Sequence, residues 1–166
     1  MPRLSLPHRF RRVVNLVNGS SIAGLAIARL GSATVSSGPE GLWLAEGYRL
    51  PFPVAGAFTV GNVVITPTSF DQLRTWSPHV LEHEARHAWQ YVCCGVLFLP
   101  LYLVAMGWSM VRTGDRAARN VFERWARLAD GGYVDVPVRP FTDEVRKLFR
   151  RAGRRAVDRS SDPGQP

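Results

Sequence analysis

Residues 77–94 read SPHVLEHEARHAWQYVCC, and this stretch decides the fold. Ser77 before Pro78 is a helix start, a side-chain N-cap followed by proline at the first helical position. Gly95, just past the two cysteines, is a stop. The helix expected between them carries His83-Glu84-Ala85-Arg86-His87, the pattern H-E-x-x-H. Residues four apart stack on one helical face, so both imidazoles can reach one metal ion. Glu84 sits one step round, suited to a metal-bound water rather than to the metal. Zinc lowers the pKa of such a water toward ~7, and a carboxylate can then take its proton. A catalytic zinc keeps three protein ligands and one open position, so the pattern demands a third ligand elsewhere.

Between positions 88 and 142 the acids are Asp115, Glu123, Asp130 and Asp135. Asp115 reads as a cap, and Asp130 and Asp135 flank the turn Gly131-Gly132. Glu123 alone falls in mid-helix, where a fixed ligand belongs. It is the best candidate for the third ligand, within Asn120-Val121-Phe122-Glu123-Arg124-Trp125-Ala126. Four neighbours are second-shell or substrate candidates, each with a plainer reading. His79 extends the histidine row but drifts round the helix, and reads first as a cap-region residue. Gln90 either orients a ligand or merely finishes the helix. Asn120 either holds the Glu123 carboxylate or is an exposed helix residue. Tyr133 either donates to a developing oxyanion or packs. Arg86 either steadies a carboxylate or substrate or is, the plainer reading, a solvated side chain, and Trp89, Phe122 and Trp125 read as core.

The segments His83 to Tyr91 (HEARHAWQY) and Asn120 to Ala126 (NVFERWA), joined by an apolar LPLY run, resemble zincin metallopeptidases of the gluzincin group. More narrowly they resemble small bacterial proteins with an H-E-x-x-H-x-x-Q core and a later N-x-x-E-x-x-A. The likeness covers roughly residues 79–130. It implies His83, His87 and Glu123 as ligands of one zinc ion per chain, and Glu84 as general base. It also implies a strand before the metal helix that lines a cleft and accepts an extended peptide.

Outward from this core, residues 8–30 read as helix with a break at Asn18-Gly19, and 31–41 as a Gly/Ser/Pro-rich loop. Residues 42–49 and 57–65 are β-branched and aromatic and read as strands, with Gly61 a bulge or a point of close approach. A helix is expected from Gly114-Asp115 to about Ala129, and a basic helix over 142–157 before a disordered tail. The fold class is therefore α+β, a mostly helical single domain with a small sheet. Residues 1–143 form the zincin-like domain, and 144–166 the basic C-terminal helix and tail.

Residues 91–111 carry no charge and no histidine. That length suits a transmembrane helix, yet a span would separate the histidines from Glu123 by the ~30 Å hydrocarbon core. Gly95, Pro100 and Gly107 interrupt the run. The expectation is a hairpin that returns Glu123 to the histidines, buried as core or as a cleft wall, with peripheral membrane contact as the alternative.

The whole chain has 166 residues, a net charge of +8, 46% hydrophobic and 20% charged residues. These values suit one globular domain and exclude a fibrous repeat or a disordered chain. The charge sits at the ends: residues 1–12 hold four arginines and no acid, whereas 13–143 balance. Basic ends read first as solvated, partly frayed tails, with attraction to an anionic membrane surface as the alternative; nucleic acid is disfavoured because neither end shows aromatic interleaving that resembles a nucleic-acid module. Adjacent Cys93 and Cys94 build no disulfide framework. The longest clean apolar run near the start, Ile22 to Ala28, is short for a signal peptide, so a cytoplasmic location is expected, with association to a membrane as the alternative. The function expected is a zinc-dependent hydrolase acting on a peptide or protein. The alternative is a non-catalytic, zinc-stabilised protein bound peripherally to a membrane or a protein partner.

Overall fold

The computed structural model describes residues 4–53 and 55–140. The basic helix expected over 142–157 and the tail lie outside them. Ten elements follow in order: α1 (Leu6–Val17), α2 (Ser20–Leu30), β1 (Thr34–Ser37), β2 (Trp43–Glu46), β3 (Phe58–Val60), β4 (Val63–Thr66), α3 (Phe70–Trp76), α4 (Val80–Cys94), α5 (Phe98–Thr113) and α6 (Val121–Trp125). The architecture is α+β, mostly helical around a small mixed sheet, as the sequence suggests.

The sheet runs β1-β2-β4-β3. β2 pairs parallel with β4, and the other two pairings are antiparallel. β4 is buried along its whole length, and its side chains alternate between two cores. Val63 and Ile65 join Ala28, Ala45 and Tyr48 on the α2 side. Val64 faces Leu42, Phe70, Leu73, Val80, Ala85 and Ala88, so α3 and α4 cover the opposite side.

Three expectations need correction here. The loop expected over 31–41 contains β1, because its Thr34–Ser37 edge pairs with β2. The single strand expected over 57–65 is a hairpin turning at Gly61, where φ is +62°. A Cβ at Gly61 would lie 2.4 Å from the backbone nitrogen of Ser21, so glycine serves both the turn and a close approach to α2. Ser77 does not cap α4. It terminates α3, and its hydroxyl donates to the Asp130 carbonyl at 3.0 Å. α4 begins at Val80 and ends at Gly95, whose φ is +56°.

The break at Asn18-Gly19 is present, with Gly19 at φ +81° opening α2. From α1, polar side chains bind the back of α4. Arg11 reaches the carbonyl of Ala85 at 3.5 Å, Asn15 that of Ala88 at 2.8 Å, and Asn18 that of Tyr91 at 3.1 Å. Arg11 also donates to the Glu40 carbonyl at 2.8 Å, and Asn15 to the Asn62 side chain at 3.2 Å.

After Gly95 one turn of 3-10 helix leads into α5. Pro100 falls in the first turn of α5, where a missing N–H costs little. Val80–Thr113 taken together are long and apolar enough to cross a membrane. The expected burial of this stretch is not found: α5 touches the rest of the molecule along one face and leaves its other residues exposed. The helix expected over 114–129 shrinks to α6. Gly114 caps α5 in the left-handed conformation, and Asp115 turns the chain by accepting from the N–H groups of Ala117 and Ala118 at 2.8 Å. Asn120 then starts α6 afresh.

Candidate metal centre

α4 presents His83 and His87 one turn apart, and α6 brings Glu123 to them. One ligand atom from each lies within 4.8 Å of the others. The three residues are 2%, 6% and 2% exposed. The two Nε2 atoms stand 3.0 Å apart. Glu123 Oε2 lies 3.1 Å from His83 Nε2, and its Oε1 lies 3.7 Å from His87 Nε2.

The far sides of both rings fix where their protons sit. His83 Nδ1 is 3.2 Å from the Arg127 carbonyl, which can only accept. His87 Nδ1 is 2.8 Å from Gln90 Oε1. The orientation of Gln90 is set because its Nε2 donates to the Phe122 carbonyl at 2.8 Å. Both rings therefore carry hydrogen on Nδ1, and both Nε2 atoms face each other and the carboxylate. Glu123 Oε1 accepts from the Tyr102 hydroxyl, while the buried Oε2 has no hydrogen-bond partner. Two imidazole nitrogens and a carboxylate oxygen without a hydrogen-bond partner converge in a site nearly closed to water.

The charges answer one another in part. Burial opposes a charge on His83, but the adjoining Glu123 carboxylate, Glu84 and the Arg127 carbonyl outweigh it and raise its pKa. Burial likewise opposes the Glu123 charge, yet His83, His87 and the Tyr102 hydroxyl hold its pKa below the usual range. Burial, then the Glu123 charge, push Tyr102 well above the ordinary phenol value, so it stays a donor. The same two causes raise Tyr133 to about 12.

Glu84 is buried on α4, and its Oε2 accepts from the Thr59 hydroxyl at 2.7 Å. Thr59 belongs to β3, the strand at the edge of the sheet beside α4. Gly131 packs on His83 so closely that a Cβ there would meet ring atoms at 2.6–2.9 Å. Arg86 anchors that loop, donating to Asp130 Oδ2 at 2.7 Å and to the Ala126 carbonyl at 3.0 Å.

Of the four neighbours, Gln90 and Tyr133 lie at the cluster and two do not serve it directly. Gln90 orients His87 and ties it to α6. The Tyr133 ring centroid is 6.2 Å from that of His83. His79 is exposed and pairs with Glu82 at 2.9 Å. Asn120 is neither an exposed residue nor a carboxylate partner: it is buried, and its side chain accepts from the Phe122 N–H at 3.0 Å as the N-cap of α6. It acts on Glu123 only by starting the helix that carries it. Arg86 is not merely solvated, and Trp125 is exposed rather than core, because α6 turns that side outward. Sequence reading missed Tyr102, Thr59 and the Arg127 carbonyl. Tyr102 had one signal, as the only phenol of α5.

The chain matches no family model, no curated protein and no solved structure.

Proposed function

We propose that the protein is a zinc-dependent hydrolase, a metallopeptidase of the gluzincin kind, with His83, His87 and Glu123 as the ligands. One observation carries this reading: the Nε2 atoms of His83 and His87 and the Oε2 of Glu123, which has no hydrogen-bond partner, converge in a buried site. A proton on His83 relieves only one of these contacts. A divalent cation relieves all of them, and two imidazoles with one carboxylate suit zinc. Zinc held there would polarise a carbonyl and acidify water.

The chain's own residues supply the rest. Gln90 and the Arg127 carbonyl hold the two imidazoles in the ligating tautomer. Tyr102 occupies Oε1 of Glu123 and leaves Oε2 to ligate. Glu84, oriented by Thr59, accepts a proton from water and returns it to the leaving amine. Tyr133, kept protonated at neutral pH, donates to the developing oxyanion.

The low exposure of the three ligands favours a second reading, a zinc site kept for folding in a protein without catalysis. Two measurements separate these. Metal content of wild type and Glu123→Ala, purified without chelator, should give about one zinc per chain in the former and far less in the latter. Glu84→Gln should then keep its zinc and lose hydrolysis of peptide substrates. Zinc retained with function unchanged in Glu84→Gln would leave the folding role, and a folded wild type free of stoichiometric metal would refute both.

A further inference from the structure

α1 and α5 are amphipathic in the reverse sense to helices of a water-soluble surface. The inward face of α5 carries Tyr102, Ser109 and Thr113, each hydrogen-bonded within the protein. Its outward face is apolar. Leu97, Leu101, Val104, Trp108 and Val111 form one exposed row, with Val104 72% exposed. Leu99, Leu103 and Met110 form a second exposed row well round the helix. α1 does the same: Arg11 and Asn15 are buried, whereas Leu6, Phe10, Val13 and Val17 are exposed at helical spacing. The two faces meet at a corner. Asn18, next to Val17, bonds the Tyr91 carbonyl and adjoins Gly95, next to Val96.

The occupant follows from three features. First, two exposed rows far apart on one helix exceed the single stripe a partner helix covers, whereas fluid lipid wraps both. Second, no charged side chain interrupts positions 91–111, and the exposed charges that the two helices themselves carry are arginines: Arg9 and Arg12 on α1, the latter 4.5 Å from the Trp43 ring, and Arg112, which stacks 5.6 Å from the Trp108 ring; the acid beside α1, Glu40, is paired with His8 and Arg11. No acid lies in either helix. Third, α5 is 16 residues, about 24 Å, short of the ~30 Å hydrocarbon core, and its inward face is committed to Glu123 and His87. It can lie in the boundary but not cross it while the cluster stays assembled.

We propose that α1 and α5 form a membrane-docking surface that seats this protein on an anionic bilayer, apolar rows in the acyl boundary and arginines among the headgroups. The surface stands whether or not the cluster binds metal.

Flotation of the full chain with phosphatidylcholine vesicles, with and without phosphatidylglycerol, tests it. Wild type should float with the anionic vesicles, less so with phosphatidylcholine alone, and be released by alkaline carbonate. Val104→Glu with Trp108→Glu should lower partitioning by about tenfold or more, and Phe10→Glu should lower it independently through α1. Both sites are exposed, so helical circular dichroism should be unchanged. Four outcomes would overturn the proposal. One is no flotation of folded wild type. Another is equal, salt-insensitive flotation with both vesicles. A third is retention after carbonate, which means a span. The fourth is a dimer by light scattering that the α5 variant dissolves, which makes the face a contact between two copies.

Discussion

Gln90 offers a sharp test of how the cluster is held. Its side chain spans from the His87 Nδ1 to the Phe122 carbonyl, 2.8 Å at each end, and is wholly buried. Gln90→Leu keeps the approximate volume and removes both bonds. The Phe122 carbonyl still accepts from the Ala126 N–H at 2.9 Å, but the buried His87 Nδ1–H is left without an acceptor, at a cost of ~1–3 kcal/mol. For a chain of this size, ~2 kcal/mol lowers Tm by about 4–8 °C. The His87 ring also loses the acceptor that fixes hydrogen on Nδ1, and losses of this kind weaken metal binding by about 10–100-fold. Gln90→Glu separates the two roles. It keeps an acceptor for His87 Nδ1 but sets a carboxylate against the Phe122 carbonyl. It should lose stability while holding zinc nearly as well as wild type. Zinc competition against a chelator of known affinity, with thermal denaturation of the metal-free proteins, measures both. If the two variants lose zinc affinity equally, or Gln90→Leu loses none, then Gln90 does not set the tautomer of His87.

The remaining expectations concern the groups around the cluster. Tyr102→Phe deletes one hydroxyl and leaves Glu123 Oε1 without its donor; zinc affinity should fall by about tenfold, read in the same competition assay. Gly131→Ala should displace the His83 ring, since the added carbon would sit 2.6 Å from it, and weaken zinc binding with little change in helical circular dichroism. Thr59→Val frees the Glu84 carboxylate from its 2.7 Å partner, and should lower kcat while leaving zinc content at the wild-type value. The Asp130 pKa is lowered, chiefly by its hydrogen bond from Arg86. A depressed folded pKa gives stability that is present above the unfolded value, about 3.8, and lost as pH falls through the folded one. Asp130→Asn should therefore have a lower Tm than wild type at neutral pH, and the gap should close under acid. A gap that persists at the lowest pH would mean the anchor does not depend on the carboxylate charge.

The helix α4 was legible because its information is local. Spacing alone puts His83 and His87 on one face, Gly95 stops the helix, and the shortage of mid-helix acids singles out Glu123. The break at Asn18-Gly19 and the strand within 42–49, which covers only Trp43–Glu46, were local as well. What failed depended on partners far along the chain. β1 is strand only because β2 lies beside it, and its Thr34–Ser37 residues are all exposed, so no apolar alternation marks it. The hairpin was read as one strand because Gly61 fits a bulge, a close approach or a turn equally well. Ser77-Pro78 looked like a cap because nothing nearby says that Asp130, 53 residues on, takes the hydroxyl.

The reading of 91–111 failed for a different reason, and that failure bears on function. Burial was expected because apolar residues go inside when the surroundings are water. α5 and α1 instead turn Tyr102, Ser109, Arg11 and Asn15 inward and leave leucine, valine and phenylalanine outside. Hydrophobic periodicity locates a face but not its direction; that is set by what the opposite face must reach. In α5 the polar face must reach Glu123, through Tyr102, and the Asp115 carbonyl, through Ser109. In α1 it must reach the carbonyls of α4. Once those bonds are made the apolar rows have no choice but to face out. The residues that hold the His83, His87 and Glu123 cluster together are thus the ones that expose the apolar surface. A change that detaches α5 from Glu123, such as Tyr102→Phe, should act on both, weakening zinc binding and altering flotation on anionic vesicles. If it moves zinc affinity alone, the cluster and the docking surface share a helix without being coupled.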